Sequence, residues 1–392
     1  MSVTSIASEN LLPDDPGALM AELQALGLAA GDEGPVAGGR RGGAGPSDHR
    51  AVSLGATTVM VPTRPAGRSP FRLRVLDGPA STSPAGGGDA ARAGAPRVEL
   101  WRDDRAVAEV SLPATPRFYA LTTADGIPYS KIALLHARRV LASTVIQSCV
   151  RYNDPATACR FCAIGTSMKD ARTVARKSPA QLAEVAEAAV RLDGVEQLVL
   201  TTGTPATPDR GAAHLAACAA GVKAVVPSLP IQVQCEPPED FGWFDRLKTA
   251  GADALGMHLE AVEPDVRAAV MPGKAEVPIG RYFEAFEAAV RAFGRGQVST
   301  YLIAGLGDAP ASLLAVAARL VELGVYPFLV PFVPLAETPM ADRPPPPAAM
   351  MQPLYQEIAR LLRAGGLASA DMKAGCAKCG ACSALSAYEA RA

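Results

Sequence analysis

Six short apolar, β-branched runs alternate with six amphipathic stretches over the C-terminal two thirds of the chain, and this predicts an α/β protein on a parallel sheet. Parallel neighbours need a crossover, usually a helix, so repeated β/α units wind both faces of an open sheet or curl into a full or partial barrel. In either form the functional groups gather at the carboxyl ends of the strands.

The N-terminal third differs. Residues 8–28 predict one amphipathic helix offering Leu23, Leu26 and Leu28 as apolar surface. Residues 31–49 are glycine-rich and almost without branched apolar side chains, so they predict a linker, with Arg40 and Arg41 as solvated loop charges. The runs 57–61, 71–76, 98–101 and 106–112 alternate as half-buried strands and predict a small antiparallel sheet. A low-complexity insert, 81–96, divides it.

The six strand candidates of the α/β region are 140–146, 196–201, 231–235, 254–260, 299–305 and 328–333. The helix opening at Ser178-Pro179 has a capping serine and a proline at its first position, with Leu182, Val185, Ala186 and Ala189 on one face. Another places Phe283, Phe286, Val290 and Phe293 on one stripe and stops at Gly294. Further helices fit 210–222, 239–251, 310–324 and 348–364.

Composition narrows the function. Among 392 residues, 38 Lys and Arg face 39 Asp and Glu, a net charge of −1 that gives no footprint for nucleic acid. The N-terminus is acidic and polar where a signal peptide would be basic and apolar. No run of 18 apolar residues offers a membrane span, so the expected compartment is the cytoplasm. Eight cysteines are too few for a disulfide scaffold, and six of them fall in two clusters.

The first cluster is Cys149, Cys159 and Cys162, spaced C-x9-C-x2-C just after the first strand of the array. Three thiolates on one loop suit three irons of a [4Fe–4S] cluster and leave the fourth iron open. A structural zinc would want four closed ligands. Inert loop cysteines, or a zinc site completed elsewhere, are the alternatives.

With Phe161 directly before Cys162, this loop resembles the signature of radical S-adenosylmethionine (SAM) enzymes, although their usual first gap is three residues and not nine. The resemblance implies a partial (β/α)6 TIM-type barrel over 136–345. Outside it, the residue patterns give a helical and low-complexity segment, 1–50, a β-rich accessory domain, 51–130, and a C-terminal helix and cysteine tail, 346–392. By the same resemblance the three cysteines hold the cluster and SAM chelates the fourth iron through its amino and carboxylate groups. Reductive cleavage then releases a 5′-deoxyadenosyl radical that takes hydrogen from a small-molecule substrate, with a reductant such as flavodoxin or ferredoxin.

Further stations follow in family order. Thr202, Gly203 and Thr204 form the glycine-containing turn after the second strand, where the family meets the SAM amino group. Glu236 follows the third strand, locked by Pro237 and Pro238. His258 and Glu260 fall at the ribose-contacting positions of biotin-synthase-like members, and Lys274 lies near the residue that meets the SAM carboxylate. Gly305 and Gly307 match the adenine-side turn.

Cys376, Cys379 and Cys382 end the chain as C-x2-C-x2-C, a compact ferredoxin-like run that suits an auxiliary iron–sulfur cluster. Zinc completed by another residue and a redox-active tail are the alternatives. Cys218 and Cys235 fit as buried small hydrophobes, with Cys235 also a candidate fourth ligand. Together these features resemble the radical SAM family whose genes accompany a nitrilase and an acetyltransferase in clusters linked to nitrile or cyanide metabolism. A non-catalytic iron–sulfur or zinc redox sensor is the competing reading. An acid/base barrel enzyme is disfavoured by only four histidines and no paired carboxylates. The tail or the N-terminal domain is expected to cover the barrel mouth.

Overall fold

The computed structural model describes residues 15–30, 49–79 and 96–391. Helix α1 (Pro16–Leu26) begins where the Asp15 side chain accepts a hydrogen bond from the Ala18 amide (2.7 Å) and ends at Gly27. It is shorter than the span 8–28, of which 8–14 lie outside the described residues. Leu23 is buried, Leu26 faces solvent, and Leu28 has passed into β1 (Leu28–Ala29).

Strands β2 (His49–Leu54) and β3 (Thr57–Arg64) form a hairpin, and β1 pairs parallel with β3. Strands β4 (Phe71–Pro79), β5 (Pro96–Arg102) and β6 (Arg105–Val110) form an antiparallel meander. The single small sheet expected here is therefore two three-stranded sheets, joined by the Ser53–Ser111 bridge. Pro65 and Pro70 bracket the crossing between them, and a proline cannot donate to a ladder. The stretch 31–48 and most of the insert 81–96 lie outside the described residues.

The main sheet has seven strands. β7 (Leu134–Ala137) pairs antiparallel with β8 (Val140–Thr144). Then β9 (Gln197–Thr201), β10 (Ile231–Gln234), β11 (Ala254–Gly256), β12 (Val298–Ala304) and β13 (Val325–Pro331) add in chain order, all parallel to β8. This curled half-barrel, with β7 and β13 at its edges, carries all six expected strands; only β7 was not anticipated. Every residue of β8, β10, β11 and β13 is buried, as expected for parallel strands covered on both faces.

After β8 come the single turn α2 (Thr166–Lys169) and α3 (Pro179–Asp193). Helix α3 starts with a full capping box between Ser178 and Gln181 and stops at Gly194 in the left-handed region. Its predicted face, Leu182, Val185, Ala186 and Ala189, is buried. The other outer helices are α4 (Ala212–Val225), α5 (Trp243–Thr249), α6 (Pro264–Val270), α7 (Pro272–Ala275), α8 (Ile279–Phe293) and α9 (Pro310–Leu323). On α8, Phe283, Phe286 and Phe293 are buried and Val290 packs at the edge of the same core.

Helix α10 (Ala348–Ala364) leads to the tail, whose short helices are α11 (Cys376–Cys379) and α12 (Leu385–Glu389). The tail enters the barrel from the amino ends of the strands. Gly375 donates to the side chain of Gln197, the first residue of β9 (2.7 Å), and the Lys373 amide donates to Gln297 just before β12 (2.9 Å). The expectation that the tail covers the mouth is thus corrected: it forms the floor. A Cβ on Gly375 would come within 2.2 Å of the Gln232 side chain, and its φ of +116° also requires glycine.

Candidate active site

The segment from Cys149 to Cys162 lies over the carboxyl ends of β8, β9 and β10. Gly203 donates to the Ile146 carbonyl (2.9 Å) and Val150 to the Thr204 carbonyl (2.8 Å), stitching the loop to the turn after β9. A Cβ at Gly203 would sit 2.1 Å from the Ser148 carbonyl oxygen, so glycine is needed for this approach. The long gap between Cys149 and Cys159 has its own seat. Arg151 Nη1 donates to Glu236 Oε1 (2.5 Å), the Gly273 amide to the Thr157 carbonyl (3.1 Å), and the Arg160 amide to Val270 (2.8 Å).

Below this loop a cavity of 420 Å³ fills the barrel interior. Cys162 and Phe161 form its upper wall, His258 and Glu260 its side, and Cys376, Cys379 and Cys382 its floor. Cys162 and the three tail cysteines therefore face one cavity from opposite ends. Apolar side chains such as Val199, Ile303 and Val330 line the rest. Three of the chain's four histidines, His49, His136 and His258, open onto it.

His258 stacks on Tyr301, ring centroids 4.2 Å apart, and its Nδ1 accepts from the Tyr301 amide (3.2 Å). The proton of the neutral ring therefore sits on Nε2, which is buried without a partner. Burial, with the nearby Lys274 charge, pushes the His258 pKa down to about 3, so the ring is a neutral donor at physiological pH. Lys274 Nζ donates to Glu260 Oε2 (2.9 Å) in a pair that is 8% and 17% exposed.

Glu236 is the second convergence point. Thr204 Oγ1 (2.8 Å) and Arg151 both donate to its Oε1, while Oε2 is buried with no partner. Burial acts to raise its pKa, but the Lys274 and Arg151 charges and these hydrogen bonds outweigh it and hold the carboxyl below its ordinary range. Burial raises the Cys159 thiol well above normal and pushes Cys162 up to about 11. A ligated metal would supply the positive charge that these thiolates lack.

The remaining expected residues have other places. Thr202 Oγ1 donates to the Gly203 carbonyl (2.7 Å). Gly305 (φ +101°) and Gly307 (φ +135°) shape the turn after β12 against Pro346 and Val266, outside the cavity lining. Cys149, Cys159 and Lys274 are outside the cavity lining, to which Cys162 and Glu260 belong. Cys235, although buried, is also outside the lining, and Cys218 is buried beside His214 (3.7 Å). Sequence reasoning missed Arg151, His136, Gln234 and Tyr301. Of these only Arg151, two residues after a cluster cysteine, carried a local signal.

The model of the radical SAM superfamily matches residues 151–319, which contain Cys159, Cys162 and strands β9 to β12. Residues 151–319 carry a radical SAM domain. A curated relative is bacteriochlorophyllide c C-7(1)-hydroxylase of Chlorobaculum limnaeum, 32% identical over 139 residues. The match covers 35% of this chain and 34% of the relative, so this chain aligns with about a third of that protein's length. Among solved structures, methylornithine synthase is 15% identical over 58% of this chain and 62% of that one, with a TM-score of 0.45. A radical SAM methyltransferase from Sphaerobacter thermophilus is 20% identical over 63% of this chain and 70% of that one, with a TM-score of 0.41. Members of that superfamily use a [4Fe–4S] cluster and SAM; this chain carries three free thiols on one loop and an unpartnered buried donor at His258.

Proposed function

We propose that this chain is a radical SAM enzyme whose cluster is held by Cys149, Cys159 and Cys162 and whose small organic substrate occupies the cavity below. The observation that carries this reading is the seat of the C-x9-C-x2-C loop. It lies over the strand carboxyl ends, with Cys162 opening into a walled cavity of 420 Å³. When bound, the cluster and SAM supply reductive cleavage of the sulfonium and a 5′-deoxyadenosyl radical that abstracts hydrogen.

The chain's own residues bind and orient. His258 Nε2–H donates to a ligand oxygen or nitrogen in the cavity, since it has no protein partner. Glu260, held by Lys274, presents its carboxylate to a hydroxyl or amine donor. Glu236 Oε2, Thr202 and Thr204 supply acceptors and hydroxyls beside the cluster loop. Phe161 and the valine and isoleucine walls keep water from the reacting centre. A flavodoxin or ferredoxin is the proposed electron source. A link to nitrile or cyanide metabolism rests on the sequence resemblance alone.

Anaerobic reconstitution tests the proposal. Reduced protein with SAM should yield 5′-deoxyadenosine, and Cys159→Ala should abolish it together with about four irons per chain. Full SAM cleavage by Cys159→Ala refutes the assignment.

A further inference from the structure

Among the described residues four non-glycines take a positive φ, and of these only Glu260, at +66°, lines the cavity. The Ala261 amide donates to the Leu259 carbonyl (2.9 Å), so Glu260 is the central residue of a three-residue turn of the rare, strained hand. Its own amide donates to the Tyr301 carbonyl (2.8 Å), and its carbonyl accepts from the Ile303 amide (2.8 Å), which seats the turn on β12. Glycine would take this conformation without strain. A glutamate there is held against its backbone preference, and its side chain reaches the cavity wall.

The holding group is Arg267, on α6, which is 2% exposed. Its Nη1 donates to the carbonyls of Leu259 (3.2 Å) and Ala261 (3.1 Å), the two residues that flank Glu260. Its Nη2 donates to the carbonyls of Lys274 (3.3 Å) and Val277 (3.0 Å). One planar guanidinium thus joins the turn that carries Glu260 to the segment that carries its ion-pair partner, Lys274. Arg267 Cζ also stands over the Tyr282 ring, 5.6 Å from the centroid. A buried cation is costly unless its donors are used, and four carbonyls use them here. Asp308 Oδ1 accepts from the Val262 (3.0 Å) and Glu263 (2.7 Å) amides and secures the exit of the turn.

We propose that Arg267 is a positioning residue that clamps the strained turn and so sets the Glu260 carboxylate, paired with Lys274, toward the hydroxyls of bound SAM. The proposal rests on the radical SAM reading and on Glu260 as a ligand-binding group. Arg267 lies outside the cavity lining, so it acts through Glu260 and not by contact with a ligand. Lysine cannot replace it, because an ammonium is a compact point donor and cannot span carbonyls on two segments at once.

A double-mutant cycle on the reconstituted full chain tests this, with SAM affinity read by anaerobic equilibrium titration. Arg267→Lys should weaken SAM binding roughly 10–100-fold, the worth of a hydrogen bond to a charged group. Glu260→Gly removes the carboxylate and should weaken binding as much. The double variant should bind no more weakly than Glu260→Gly, since Arg267 then has no carboxylate to place. Losses that multiply would make Arg267 a general support of the fold and overturn the proposal, as would unchanged affinity in either single variant. Should Arg267→Lys fail to fold, the melting of two metal-free variants decides. Glu260→Gly should melt roughly 1–3 °C above Glu260→Ala, because glycine takes a positive φ freely, and this reverses the usual advantage of alanine. Equal melting, or alanine above glycine, leaves no strain for Arg267 to hold and overturns the proposal. SAM binding absent from the unsubstituted chain sinks the proposed function and this proposal with it. Binding present there, with losses that multiply, sinks this proposal and leaves the proposed function standing.

Discussion

Replacing Gly203 by alanine should displace the cluster loop from the barrel. The added Cβ would lie 2.1 Å from the Ser148 carbonyl oxygen, 2.7 Å from its carbon and 2.8 Å from Ile164 Cδ1, where ordinary contact begins at 3.4 Å. Two of these three atoms are backbone of the residue next to Cys149, so no side-chain rotation relieves the clash. The Gly203 amide bond to the Ile146 carbonyl must stretch, and Cys149 must move with it. Overpacking of this kind costs about 1–3 kcal/mol. At roughly 2–4 °C per kcal/mol for a chain somewhat shorter than this one, Tm should fall by about 2–12 °C. Thermal melting of the metal-free protein reads the first effect, and iron bound per chain after reconstitution reads the second. Gly280→Ala is the control, because its Cβ would meet nothing within 4 Å at an exposed position in α8, and it should be neutral or stabilising by up to ~1 kcal/mol. If Gly203→Ala melts and loads iron like the parent, the close seat of the loop on β9 is wrong.

Glu236 gives a pH dependence. Its folded pKa lies below the unfolded value of 4.5, so its stabilisation is complete above that pH and is lost as pH falls through the folded pKa. Denaturant melts between pH 7 and pH 3 should show Glu236→Gln less acid-sensitive than the parent, and equal slopes would refute this. Breaking the Glu260–Lys274 pair by Lys274→Met leaves a buried carboxylate and should cost about 3–5 kcal/mol, with Glu260→Gln added to it recovering part. His258→Phe keeps the stack on Tyr301 but removes the unpartnered donor. It should weaken SAM or substrate binding roughly 5–30-fold, about 1–2 kcal/mol, in equilibrium titrations. The His258 ring in the parent should show no titration by NMR between pH 5 and 8, since burial holds its pKa near 3.

Local signals were enough wherever one element carried its own code. Ser178-Pro179 and Gly194 bound α3, the phenylalanine stripe sets the buried face of α8, and all six parallel strands appear in the expected order. The spacing of each cysteine cluster was equally plain, because each lies within one short stretch of chain. What escaped was relation between distant segments. Strand β7 is four residues long and forms only because β8 gives it a ladder. Arg151 and Glu236 are 85 residues apart, and no periodicity connects them.

By itself, then, the sequence determined the alternation of strand and helix, the carboxyl-end position of Cys149, Cys159 and Cys162, and the existence of a second thiol run. Only the tertiary structure decided that the second run enters from the amino ends of the strands and becomes the floor of the same cavity. It alone brought His136 to Cys382 across 246 residues and left His258 Nε2 buried without a partner. The reason is physical. Capping, periodicity and ligand spacing act within a few residues, whereas the curl of the sheet sets which far-apart side chains share one enclosed space.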